Sequence, residues 1–172
     1  MERRKRVFDF LDRKSEAYIL KACKPVETRA GSLLVRAGDR SSDLYIITGG
    51  EYMVFDDGKG EEFVLAILKR GDIFGEMSFL DGEPRSASVK AVTASQALRM
   101  DRDSLNGLRE EAPDAAWKLV MGLASVVTTR LRRADDALTM TTSEDPEEVD
   151  RDELDRLIAE MHLAVHLELD RD

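Results

Sequence analysis

A β-rich core flanked by helices is the fold class this sequence predicts, and three features predict it. Between Gly31 and Met100, short apolar runs alternate with glycine and polar turns, the texture of an all-β sandwich or barrel. On either side the apolar residues switch to helical spacing. The chain has 172 residues, enough for one domain with appendages, and such a domain buries roughly 70% of its unfolded surface without a disulfide or metal staple.

The elements follow in order. Val7, Phe8, Phe10 and Leu11 recur at helical spacing, and Ala17, Ile19, Leu20 and Ala22 follow Ser15. They read as two short helices, with Pro25 closing the second. Strands are predicted over 33–35, 44–47, 52–55, 63–68, 88–92 and 97–100, with Gly49-Gly50 and Asp57-Gly58 as hairpin or bulge signals. Asp103 and Ser104 are positioned to cap a short helix through Leu108. Pro113-Asp114 opens a helix of about 25 residues, because Ala116, Val120, Leu123, Val127, Leu131, Ala134 and Leu138 form an apolar stripe. Residues 139–143 read as a break. Asp145-Pro146-Glu147-Glu148 starts a last helix, with Leu154, Leu157, Ile158, Met161, Ala164 and Val165 on its apolar face.

Apolar residues make up 42% and charged residues 35%, which excludes a collagen-like or low-complexity chain. No apolar run approaches the roughly 18–20 residues of a membrane span. The basic start, Arg3 to Arg6, is followed by Asp9, Asp12 and Arg13, which is no signal-peptide core. The single cysteine, Cys23, excludes an internal disulfide. His162 and His166 stand four apart but have no third ligand, so no metal is expected. A soluble protein of a reducing compartment, the cytoplasm, is predicted, with no membrane role.

Net charge is −9, and residues 139–172 hold 12 acids and 3 bases, so the tail carries the whole deficit. A neutral body with an acidic tail is a poor match for nucleic acid, and no DNA partner is expected.

The segment from Gly71 to Val89 carries the chemistry. It places a short helix-compatible piece, 76–80, inside the β-rich region. Such an insert offers its first backbone N–H groups to an anion. Gly75 allows a close approach. Arg85 supplies a permanent cation with fork geometry suited to phosphate. Glu76 is an acceptor-only carboxylate suited to a sugar hydroxyl, and Ser86 adds a hydroxyl. Together these groups suit a ligand with one phosphate charge and an adjacent free hydroxyl.

Phe74-Gly75-Glu76-Met77-Ser78 and Pro84-Arg85-Ser86-Ala87 resemble the phosphate-binding cassette of the cyclic nucleotide-binding domain family. Residues 34–39 and 44–50 are similar to that family's early strands, and the resemblance covers roughly residues 5–138. It implies an eight-stranded β-roll with helices at both ends, a binding domain over 1–138, and a linker with an acidic helix over 139–172. It implies that Glu76 accepts from the ribose 2′-hydroxyl, that Arg85 pairs with the cyclic phosphate, and that Gly75, Met77, Ser78 and Ser86 complete the cradle. Leu65, Phe74 and Ala87 would line the site. The long helix would be a lid and dimer helix, with Arg130, Arg133 or Ala134 near the base. The implied ligand is cAMP, favoured over cGMP by Ser86, with no other cofactor and no catalysis. The chain resembles the ligand-binding domain of catabolite activator-type regulators, but only 34 residues, net acidic, follow Leu138 where their DNA-binding domain would stand. The expected output is therefore a homodimer or an unidentified protein partner. A ligand-free β-roll serving as scaffold or dimer adaptor is the competing expectation. A metal-dependent β-roll enzyme is disfavoured, because both histidines lie in the final helix.

Overall fold

The computed structural model describes residues 11–56 and 63–141, and of residues 133, 134 and 136–141 it describes the backbone. Helix α1 (Arg13–Ala22) leads into β1 (Lys24–Thr28), β2 (Leu33–Val35), β3 (Leu44–Gly49), β4 (Tyr52–Asp56), β5 (Phe63–Leu68) and β6 (Ile73–Phe74). A short helix, α2 (Glu76–Asp81), precedes β7 (Ser88–Ala91) and β8 (Ser95–Met100), and α3 (Arg102–Glu111) and α4 (Pro113–Thr141) follow. The strands form two four-stranded sheets, β1-β8-β3-β6 and β2-β7-β4-β5, antiparallel throughout. The eight-stranded β-roll with helices at both ends is therefore the architecture.

Strand β3 shows why the core divides. Leu44, Tyr45, Ile46 and Ile47 are all buried, because alternate side chains of a strand face opposite sides. Leu44 and Ile46 pack under the helices with Ile19, Phe79, Leu108, Leu119, Leu123 and Val126. Tyr45 and Ile47 point into the roll with Tyr52, Leu68, Phe74, Val89 and Ala97. Strand β3 ends where its register with β8 shifts between Ile47 and Gly49. Gly50 then takes φ +75, and a Cβ there would run into the Ser95 backbone. This is the bulge that the Gly49-Gly50 pair predicts. The Asp57-Gly58 turn lies outside the described residues.

Several expectations are corrected. Among the described residues one N-terminal helix is found, starting at Arg13 on an Asp12 cap; Val7, Phe8 and Phe10 lie outside them. Pro25 does not close that helix. It sits in β1, which is an edge strand, where a missing N–H is tolerated. Strands β1 and β6 were not expected, since one carries charges at Lys24 and Glu27 and the other is two residues long. The cap of α3 is Asp101, whose side chain accepts from Ser104 N, rather than Asp103 or Ser104. Helix α4 continues through Thr141 where a break was predicted, and the acidic tail lies outside the described residues. The long-helix stripe also divides. Ala116 and Leu123 are buried with Ala115, Leu119 and Val126, whereas Leu131 is exposed alongside Trp117 and Met121.

Candidate phosphate and sugar site

Helix α2 is inserted where β6 leaves the helix-side sheet. Gly75, its N-terminal cap residue, takes φ +78, and Gly82 ends it at the same φ. A Cβ on Gly75 would fall on Arg85 Nη1 and the Asp43 carbonyl, so only glycine fits both the backbone angle and the space. Phe74, just upstream, is anchored inside the roll, stacked on Tyr45 with centroids 4.8 Å apart and tilted on Tyr52 at 5.4 Å.

Arg85 lies on the segment that returns to β7. Its backbone is pinned to the β2–β3 loop: Arg85 N donates to Asp39 O and Gly38 N donates to Arg85 O, at 2.9 and 2.8 Å. The side chain is buried, 4% exposed. Nε donates to Ser41 Oγ at 3.0 Å, Nη1 to Gly75 O at 3.2 Å and Nη2 to Asp43 O at 2.8 Å. The guanidinium also stands 5.9 Å over the Tyr45 ring. Those acceptors are all neutral, and no carboxylate within salt-bridge reach of Arg85 is found among the described residues. Burial lowers the guanidinium's pKa, opposed by the fields of Tyr45, Asp43, Glu76 and Asp39.

Glu76, at the first turn of α2, is equally buried. Its partner is not Arg85. Arg130 reaches over from α4 and donates Nη1 to Glu76 Oε1 at 2.5 Å and Nη2 to Ile73 O at 3.1 Å. The cassette thus holds its cation and its anion apart, each on a separate set of partners.

The remaining expected residues fall around this pair. Ser78 is buried, Met77 is exposed, and Ser86 is exposed with its hydroxyl 3.9 Å from Met77 Sδ. Ala87 is half-buried. Leu65 sits where the β4–β5 register shifts, and Ala66 rather than Leu65 packs on the roll's interior cluster. The side chains of Arg133 and Ala134 lie outside the described residues. Ser41, Asp43 and Tyr45, which orient Arg85, were missed. The polar run from Asp39 to Asp43 reads as an ordinary turn, and nothing local marks its carbonyls as arginine acceptors.

No cluster of three metal-ligating side chains is found among the described residues, nor any helix long and apolar enough to cross a membrane. Fold and site together define a β-roll ligand-binding module with a helical insert at its mouth. Residues 25–112, just over half of the chain, match the cyclic nucleotide-binding domain. The chain belongs to the cyclic nucleotide-binding domain family. The CRP-like cAMP-activated global transcriptional regulator of Mycobacterium tuberculosis is 31% identical over 133 residues, 77% of this chain and 58% of that protein. The cAMP-dependent protein kinase regulatory subunit of Schizosaccharomyces pombe is 33% identical over 108 residues, 63% of this chain and 26% of that one. The crystal structure of Thermus thermophilus catabolite activator protein is similar with TM-score 0.70 and 30% identity, covering 79% of this chain and 62% of that one. The chain spans less than two thirds of the length of each of these three proteins.

Proposed function

We propose that the chain is a cyclic nucleotide sensor that binds cAMP in preference to cGMP, catalyses nothing, and transmits occupancy through α4 to a protein partner or a second copy. One observation carries this reading: a buried guanidinium at the cassette with only neutral acceptors. Burying a charge with no carboxylate in contact is costly, and a ligand phosphate supplies a contacting anion through a charge-assisted fork. Glu76 then accepts from the ribose 2′-hydroxyl, and Gly75, Ser78, Ser86 and the backbone at Met77 surround the phosphate. The base lies against the α4 turn that carries Arg130 and continues to Arg133 and Ala134. Two similar proteins whose names carry cAMP support the choice of adenine, as does serine at position 86.

Calorimetric titration of the pure chain with each nucleotide tests the proposal. Saturable binding, stronger for cAMP and weakened roughly 10–100-fold in Arg85→Ala, is expected from the loss of one charge-assisted contact. Absence of heat with either nucleotide sinks it. A second reading, a ligand-free scaffold, is favoured by the protein partners that both charged groups already have. It predicts a melting temperature indifferent to nucleotide.

A further inference from the structure

We propose that the exposed apolar face of α4 is a docking surface and that its occupant is this chain's own acidic tail, folded back along the helix as an antiparallel hairpin. The inference does not depend on the cyclic nucleotide reading. It gives a role to residues 146–169, which that reading leaves unused.

The surface has the pattern of a helix seam. Trp117, Met121 and Leu131 are exposed on α4, while Leu119, Leu123 and Val126 are spent on the core. Trp117, Ala124 and Leu131 recur every seven residues, and so do Met121 and Thr128, the period that keeps one side of a helix against a partner helix. Ala124 is half-buried and Thr128 exposed, so small residues stand between the large ones and leave holes for the side chains of a facing helix.

The tail fits this surface in pattern, length and charge. Leu154 and Met161 are seven apart, as are Ile158 and Val165, and Leu169 continues the stripe. The described part of α4 ends at Thr141, and Asp145-Pro146 starts the next helix in the sequence. A connection this short makes two helices antiparallel neighbours. At about 1.5 Å per residue, Leu131 stands about 15 Å before the turn and Leu154 about 14 Å after it. From there the exposed stripe runs about 21 Å to Trp117 and the tail's stripe about 22 Å to Leu169, so the two begin level and end level. Arg132, exposed beside Leu131, then comes level with Asp155, and Arg151 with Asp136. Charges flanking an apolar seam set partner and orientation. A tethered segment acts at an effective concentration on the order of millimolar, so a second copy reaches the same face only at high concentration. Output through α4 must first displace the tail.

Trp117 is the chain's single tryptophan, so its fluorescence reports this face alone. The experiment is acrylamide quenching of the full chain over a dilution series, without nucleotide. The intact chain should be quenched several-fold less than a variant carrying Ile158→Asp and Val165→Asp, with its emission shifted to the blue. That difference should persist on dilution below any self-association seen in sedimentation velocity. Met121→Asp with Leu131→Asp, which leaves the tail untouched, should raise quenching to the same level, and all four substitutions together should raise it no further. Equal quenching of the intact chain and the tail variant overturns the proposal. So does protection that disappears on dilution in step with a dimer, which would make a second copy the occupant. If the tail variant unfolds early in a circular dichroism melt, Leu154→Gln with Met161→Gln decides on the same terms.

Discussion

Gly75 combines a left-handed backbone with a neighbour at its missing Cβ. Gly75→Ala therefore strains the turn and displaces Arg85 at once. Nucleotide affinity should fall at least as far as in Arg85→Ala, and the melting temperature should drop, a pairing that Arg85→Ala alone need not show. Titration and a thermal melt of the two variants check this. Cys23 is governed by burial rather than by a partner. Its thiol is pushed up to about 12, chiefly by desolvation and secondarily by the field of Asp101. The thiolate is the nucleophile, so the folded chain should react slowly with a thiol reagent at pH 8 and quickly once unfolded. Equal rates in the two states would contradict the burial. The same shift makes the cysteine's contribution to stability complete below its unfolded value and progressively lost as pH rises toward 12.

At the scale of elements, the helices are held to the roll by caps and by one apolar cluster. Asp101 caps α3 through Ser104 N and bonds Lys24 and Arg99. The Lys24 bond first, and then those from the Ser104 side chain and backbone, hold its carboxyl well below the usual carboxylate range. A depressed folded value contributes stability above the unfolded value near pH 4, and that contribution is lost as pH falls through the folded one. Acid unfolding followed by circular dichroism should therefore begin at a higher pH in Asp101→Asn, which keeps an acceptor for the cap but not the charge. Leu123 is fully buried between α4 and the sheet. Leu123→Ala should cost about 2–5 kcal/mol by the cavity it leaves, read from urea unfolding. Much of this layer was legible, because amphipathic spacing and capping residues are local signals. The edge strand β1 and the two-residue β6 were not. Their pairing partners lie at Arg99 to Ser95 and at Tyr45 and Ile46, and a strand stabilised by a distant ladder need not look apolar in its own window.

At the scale of the whole molecule, α4 shows two faces. One is spent on the core. The other keeps Trp117 66%, Met121 50% and Leu131 60% exposed, spaced at four and ten residues along the helix. On the proposed reading in which occupancy passes to a second copy, this is the exposed apolar face that a second copy would meet. Trp117→Asp with Leu131→Asp should convert a dimer to a monomer in sedimentation velocity without lowering the melting temperature of the isolated fold. A wild type that sediments as a monomer at high concentration would remove this assignment.

Phe74 to Ser78 and Pro84 to Ala87, with their spacing, are enough to single out the segment that resembles the family's cassette, because a glycine, a carboxylate and a guanidinium stand together there in one short stretch of chain. The alternation of short apolar runs is enough for a β-rich core of the sandwich or barrel class, because strand periodicity is written locally, whereas the eight-stranded roll is what the family resemblance implies. What each charged group touches belongs to tertiary structure. Glu76 meets Arg130 across 54 positions, and Arg85 meets Ser41 and Asp43 across 44 and 42. Those contacts exist only after the roll has closed and α4 has packed over it, since hydrogen bonds between distant residues are set by how sheets and helices stack and leave no periodicity in the chain.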